Sequence, residues 1–205
     1  MKKLLLLLLL IPALLGAEED RKPTKKEWQK AKKMLEDSKR YRTETHWSFD
    51  EIVENPIDEF DVAYLESSTD DRISLIYMVG FDKKSNRIMA SSKLQFPYPN
   101  LLKATYISGV TVIKMRAKFD NSDKFTIMVT NKQGSPFYLF DKEKRINING
   151  QSVDFFTALL EAKKLFLIFT SSSGEERIVT FYLDGLLDLY QASGIYLLGK
   201  SSFAP

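Results

Sequence analysis

His46 is the only histidine in this chain, and there is no cysteine. A Ser–His–Asp arrangement would have to use His46 as its base. No Gly-x-Ser-x-Gly elbow occurs anywhere to present a serine to it. One imidazole without a thiolate does not make the usual zinc ligand set. His46 also sits beside Trp47 in a segment that alternates like a strand, so its expected role is structural.

Carboxylates are the next candidates. Asp58, Glu59 and Asp61 form one acidic cluster, and Asp70 and Asp71 a second. Two carboxylates about 5 to 9 Å apart across a cleft can hydrolyse a glycosidic bond, and clustered ones can hold calcium. The one-three-five spacing with a glycine that marks a calcium loop is missing. Both clusters flank strand-like runs, where acidic residues commonly cap turns and keep sheet edges soluble. An envelope hydrolase working through these loops is the alternative reading.

The third group is cationic. Lys114, Arg116 and Lys118 alternate with Ile113, Met115, Ala117 and Phe119, so a strand here shows one basic and one apolar face. Such a row fits an anionic polymer or an acidic protein patch, and it equally fits the solvated face of a half-buried strand. Lys25, Lys32 and Lys33 lie on a second basic surface, a helix read below. These six residues are the expected interaction surface. Tyr98, Tyr106, Phe137, Tyr138 and Phe140 are spread among strands rather than interleaved with a basic patch, which speaks for packing over base stacking. With a formal net charge of only +3, nucleic acid is not an expected partner. There is no glycine-rich phosphate loop, and no cofactor is expected.

The elements that would position these residues follow from punctuation and period. Residues 1–17 read as a signal peptide: Lys2-Lys3, an apolar run from Leu4 to Leu15, then Gly16-Ala17 before Glu18-Glu19-Asp20. The run is too short to span a bilayer comfortably, so cleavage after Ala17 is expected, with a periplasmic or secreted product. No later run reaches membrane-spanning length. Residues 18–42 read as a charged leader and a basic amphipathic helix. Arg21 to Arg42 holds ten basic and three acidic residues. Thr24-Lys25-Lys26-Glu27 matches a capping box, and Trp28, Ala31, Met34 and Leu35 share one face of a helix running to about Lys39. That stripe predicts packing on the chain's own domain, with contact to an acidic partner or anionic lipid as the rival reading.

Residues 43–205 read as a single β-rich domain. Strands are predicted over Arg40–Val53, Phe60–Leu65, Arg72–Gly80, Ile88–Phe96, Lys124–Thr130, Phe137–Phe140 and Arg145–Asn149. Leu101–Ile107 and Val110–Phe119 should form a hairpin about Ser108-Gly109. Near the end, the spacing predicts a helix over Ser152–Lys164. A strand over Leu165–Thr170 follows, apolar on both faces as a doubly covered strand would be. A second strand is predicted over Arg177–Leu183, and a helix over Asp184–Gly194 with the glycine as its stop. Ile195–Leu198 would add an edge strand, and Gly199–Pro205 should fray. The fold class expected is mainly β: an antiparallel β-sandwich or barrel-like sheet with an N-terminal helix and two short C-terminal helices.

Two stretches resemble the periplasmic TagO/VasI-like family associated with type VI secretion. Asn55–Leu65 (NPIDEFDVAYL), with Trp47 upstream, is similar to that family's Trp-led opening and Pro-Ile-Asp segment. Ser152–Leu187, containing Phe181-Tyr182-Leu183-Asp184-Gly185-Leu186, is similar to its ending, and Pro99-Asn100-Leu101-Leu102 sits where the family has Pro-x-Leu. The likeness covers Trp47 to Ala192, and the family's cysteines have no counterpart here. It implies a non-enzymatic periplasmic accessory protein with no catalytic residues to carry over. The functional expectation is therefore a binding protein acting through protein–protein or cell-envelope contact, linked to a secretion system if the resemblance holds. A small-molecule-binding β-sandwich is a further alternative.

Overall fold

Thr24 and Glu27 close the capping box. The Thr24 backbone N–H and hydroxyl each donate to Glu27 Oε2 at 2.8 Å, and the Glu27 N–H donates to Thr24 Oγ1 at 3.3 Å. Helix α1 (Lys25–Arg40) starts there and buries Trp28, Ala31 and Leu35, so the local-packing reading holds for these three, while Met34 of the expected stripe is 38% exposed. The computed structural model describes residues 22–40, 47–54, 60–69, 72–85, 87–96, 102–132, 137–140, 144–148 and 150–203.

After α1 come β1 (Ser48–Glu54), β2 (Phe60–Ser68), β3 (Ser74–Asp82), β4 (Arg87–Gln95), β5 (Thr105–Ile107) and β6 (Val110–Phe119). They are followed by β7 (Phe125–Lys132), β8 (Phe137–Phe140), β9 (Arg145–Ile148), β10 (Gln151–Asp154) and helix α2 (Phe155–Glu161). The chain ends with β11 (Lys164–Thr170), β12 (Glu176–Tyr182) and helix α3 (Leu186–Phe203). Ten strands form one antiparallel sheet in the order β1-β2-β3-β4-β8-β7-β6-β11-β12, with β5 beside β6, while β9 and β10 make a separate hairpin. The expected fold class is what the structure shows: mainly antiparallel β with a helix at each end.

The sheet is open rather than a closed barrel, yet it curls. β12 reaches β2, and the Trp47 indole N–H at the start of β1 donates to the Tyr182 carbonyl at the end of β12 at 2.8 Å. Alternation sends Leu75, Tyr77 and Val79 of β3, Ile113 and Met115 of β6, and Leu165 and Leu167 of β11 to one side. All are at most 1% exposed. The three helices pack on that side.

Three local expectations change. The helix expected over Ser152–Lys164 begins only at Phe155, because Gln151–Asp154 pairs with Arg145–Ile148 across a Gly150 turn. Asp154 then caps the helix, accepting from Thr157 N at 2.9 Å and from Thr157 Oγ1 at 2.8 Å. Gly194 does not stop the last helix, and Ile195–Leu198 is not a strand. α3 runs 18 residues to Phe203, straight through the segment expected to fray. Its burial explains why: Leu186, Leu189, Ala192 and Leu197 are in the core, and packing overrides a glycine's weak helix preference. The strand expected from Arg40 begins at Ser48, and residues 41–46 lie outside those described. The hairpin about Ser108-Gly109 forms as expected, with φ of +49° and +79° matching a tight primed turn.

Gly199 marks the closest approach in the helical layer. The Trp28 ring stacks on Tyr196 with centroids 5.3 Å apart, and its N–H donates to the Tyr196 carbonyl at 3.1 Å. A Cβ on Gly199 would lie 2.5 Å from Trp28 Cδ1. Gly199→Leu introduces a better helix former but overpacks this contact, so a net loss of about 2 kcal/mol is expected. Urea unfolding should show it, with red-shifted emission as the Trp28 indole is displaced. An unchanged midpoint and spectrum would mean that α1 is not held by this crossing.

Candidate functional site

The basic row stands where alternation put it. On β6 the side chains of Lys114, Arg116 and Lys118 are exposed, while Ile113, Met115, Ala117 and Phe119 are at most 2% exposed on the helix-covered side. The Arg116 guanidinium reaches two strands across and donates from Nη2 to both Glu176 oxygens at 2.6 Å. Both partners are more than half exposed, so the pair orients the guanidinium and adds little stability. Lys114 and Lys118 have no carboxylate partner among the described residues.

The row is bracketed by apolar side chains on the same face. Ile168 of β11 lies opposite Arg116 and next to Ile178 of β12, and Phe166 lies opposite Lys118. On the other flank Met128 of β7 lies opposite Lys114, and Leu139 of β8 follows one strand further. Ile178 is 65% exposed, and Met128 and Leu139 are each 49% exposed. A sheet with one wet face normally puts polar side chains there. Beyond Leu139, Lys93 of β4 lies across two rings, its Nζ 3.8 Å from the Phe137 centroid and 5.0 Å from that of Tyr64. Burial draws the Lys93 ammonium below the ordinary lysine pKa. At the opposite margin Lys164 Nζ lies 5.0 Å from the Tyr182 ring centroid.

The other basic residues are elsewhere. α1 packs on the helix-covered side of the sheet, so Lys25, Lys32 and Lys33 form a separate surface and do not join the β6 row. Lys32 lies 5.5 Å over the Trp28 ring and 3.9 Å from Glu36, an ordinary solvated helix pair. His46, Asp58, Glu59, Asp70, Asp71 and Tyr98 lie outside the described residues. Asp61 is described and is 5% exposed. Its carboxylate meets Lys83 Nζ at 2.9 Å and Lys200 Nζ at 3.6 Å, tying β2 to the last turn of α3. Thr69, which precedes Asp70, follows the far end of β2, roughly 25 Å along the strand from Asp61. Among the described residues no three His, Asp or Glu side chains gather as a metal ion would require.

A second polar group lies under the sheet. Tyr77 contacts Tyr190 and Phe156 edge-on, with centroids 5.9 and 6.4 Å apart. Burial raises the pKa of both tyrosines. Glu161 at the end of α2 is also raised, by burial first and by the Asp154 carboxylate second.

The apolar flank is what sequence reasoning misses. Its signal is present in Leu165–Thr170, expected to be covered on both faces. The structure covers one face only and leaves Phe166 and Ile168 half-buried on the other. β7 and β12 each add one aliphatic side chain to this face, Met128 and Ile178, among threonines.

Comparison with protein-family models, curated proteins and solved structures finds no match to this chain.

The buried charged groups yield two measurable expectations. Asp61→Ala removes the nearly buried carboxylate that holds Lys83 and Lys200 to β2 and should cost about 3 kcal/mol in urea unfolding; a change within 0.5 kcal/mol, about what an ordinary surface substitution gives, would show that these ion pairs do not bear on stability. Glu161 binds its proton more tightly folded than unfolded. Its contribution is therefore complete below the ordinary glutamate range and is lost as pH rises through the raised value. Glu161→Gln should melt higher than the parent at pH 7 and together with it at pH 4, read by calorimetry at both values.

Proposed function

We propose that this chain is a non-enzymatic accessory protein of the periplasm or extracellular space, acting by contact rather than by chemistry. The observation that carries the reading is the outward face of the sheet: Lys114, Arg116 and Lys118 stand in a row between exposed aliphatic side chains. Charge attracts and orients an anionic partner, and the aliphatic flank gains by leaving water. The signal-like residues 1–17 support an envelope setting, and the TagO/VasI resemblance supports an accessory role beside a secretion system. Asp61, the described member of the acidic clusters, is engaged by two lysines.

The absence of cysteine makes the contact straightforward to test. Thr126→Cys places a single thiol on this face, opposite Arg116. Lys30→Cys places one on the exposed side of α1. An isolated envelope fraction is expected to slow maleimide labelling at position 126 and not at position 30. Adding Lys114→Glu and Lys118→Glu should restore the rate at 126. Equal labelling at 126 with and without the fraction would refute contact through this face.

A further inference from the structure

We infer that the partner of this face is the headgroup layer of an anionic lipid bilayer, an inference that rests on reading the face as the contact surface. The argument begins with residue type. Protein–protein interface cores are depleted of lysine, and their strongest contacts are enriched in tryptophan, tyrosine and arginine. Here the unpaired cations are lysines, Lys114 and Lys118, and the one arginine of the row is already held by Glu176. Both tryptophans are buried inside the molecule, Trp28 at 6% and Trp47 at 0% exposure. Beside the row the most exposed apolar groups are aliphatic, Ile178, Met128 and Leu139, with Ile107 at the tip of the β5–β6 hairpin 57% exposed, while the aromatic Tyr182 at the margin is 39% exposed beside Lys164.

Lysine amid single aliphatic side chains is the pattern of a peripheral lipid surface. Ammonium groups meet phosphates without needing fixed geometry, and each aliphatic tip enters the acyl boundary independently. Ile107 belongs to the same surface. It pairs with Val110, which shares the β6 face of Lys114, so an apolar prong extends the basic row at one end. Glu176 neutralises Arg116, which leaves Lys114 and Lys118 to carry the row's positive charge. No helix among the described residues is long and apolar enough to cross a membrane, so this attachment would be peripheral and reversible. Both halves of the surface are needed: the charge falls away beyond about 10 Å at 0.1 M salt, and the aliphatic tips are too few to hold the protein alone.

The test uses the full chain carrying Thr126→Cys labelled with an environment-sensitive nitrobenzoxadiazole dye. Vesicles of 30% phosphatidylglycerol in phosphatidylcholine are expected to blue-shift its emission, and pure phosphatidylcholine vesicles are not. The same dye at Lys30→Cys should stay unshifted, which separates contact by this face from contact by any other segment. Lys114→Glu with Lys118→Glu should weaken the apparent affinity at least about tenfold. No shift at position 126 with the anionic vesicles, or an equal shift with pure phosphatidylcholine, overturns the lipid assignment. If protection of position 126 then survives in an envelope fraction stripped of lipid by detergent, the partner is a protein and the contact reading stands. If that protection is also absent, both fall.

Discussion

A helix that is apolar around most of its circumference has to be covered from more than one side, and α3 is such a helix. Leu186, Leu189, Ala192 and Leu197 are buried, and Tyr190, Ile195, Tyr196 and Leu198 pack against the same core. No single layer can shield that circumference. The sheet covers one side through β2 and β3, α1 covers another, and α2 touches a third. Much else in the fold answers to this requirement. Trp28 lies flat on Tyr196, Gly199 lets the indole in, and Asp61 reaches Lys200 in the last turn. The helices lie together on one side of the sheet, and its outward face has no layer over it among the described residues.

That uncovered face gives the candidate site its character. Strands buried on one side need only alternate, and β6 does, which is why its basic row is legible from the amino-acid sequence alone. β11 is apolar on both faces, and β7 and β12 each place one aliphatic side chain outward. Met128, Ile168 and Ile178 stand where polar side chains would serve solubility better. Met128 is 49% and Ile178 65% exposed, so stability requires neither there. The physical tension is local and it coincides with the unpaired lysines, which is why the two features are read together as one surface.

What is legible in the sequence depends on whether the cue is local. The Thr24–Glu27 box, the Ser108-Gly109 turn and the period-two run of β6 rest on residues three or fewer apart, and all three appear as expected. The length of α3 does not, because its interior glycines are set by Trp28 and by the sheet, both distant in sequence. β10 is not legible as a strand for a related reason: Gln151–Asp154 is polar and becomes a strand only through its partner β9. The apolar flank of the site escapes because a strand that is apolar on both faces predicts cover on both faces. Only the topology tells which side is left open.

The contact between Trp28 and Tyr196 spans 168 residues, and that between Trp47 and Tyr182 spans 135. Contacts of such sequence separation form late, because the whole intervening chain must be ordered first. A 16-residue helix such as α1 is marginal on its own in water. During synthesis α1 therefore waits for α3 to appear. The β2–β3–β4 meander can assemble from neighbours while the two ends stay apart. Joining α1 to α3 is the closing step of folding, and until α3 is made, the surfaces of α1 and of the sheet that await it have nothing to rest on.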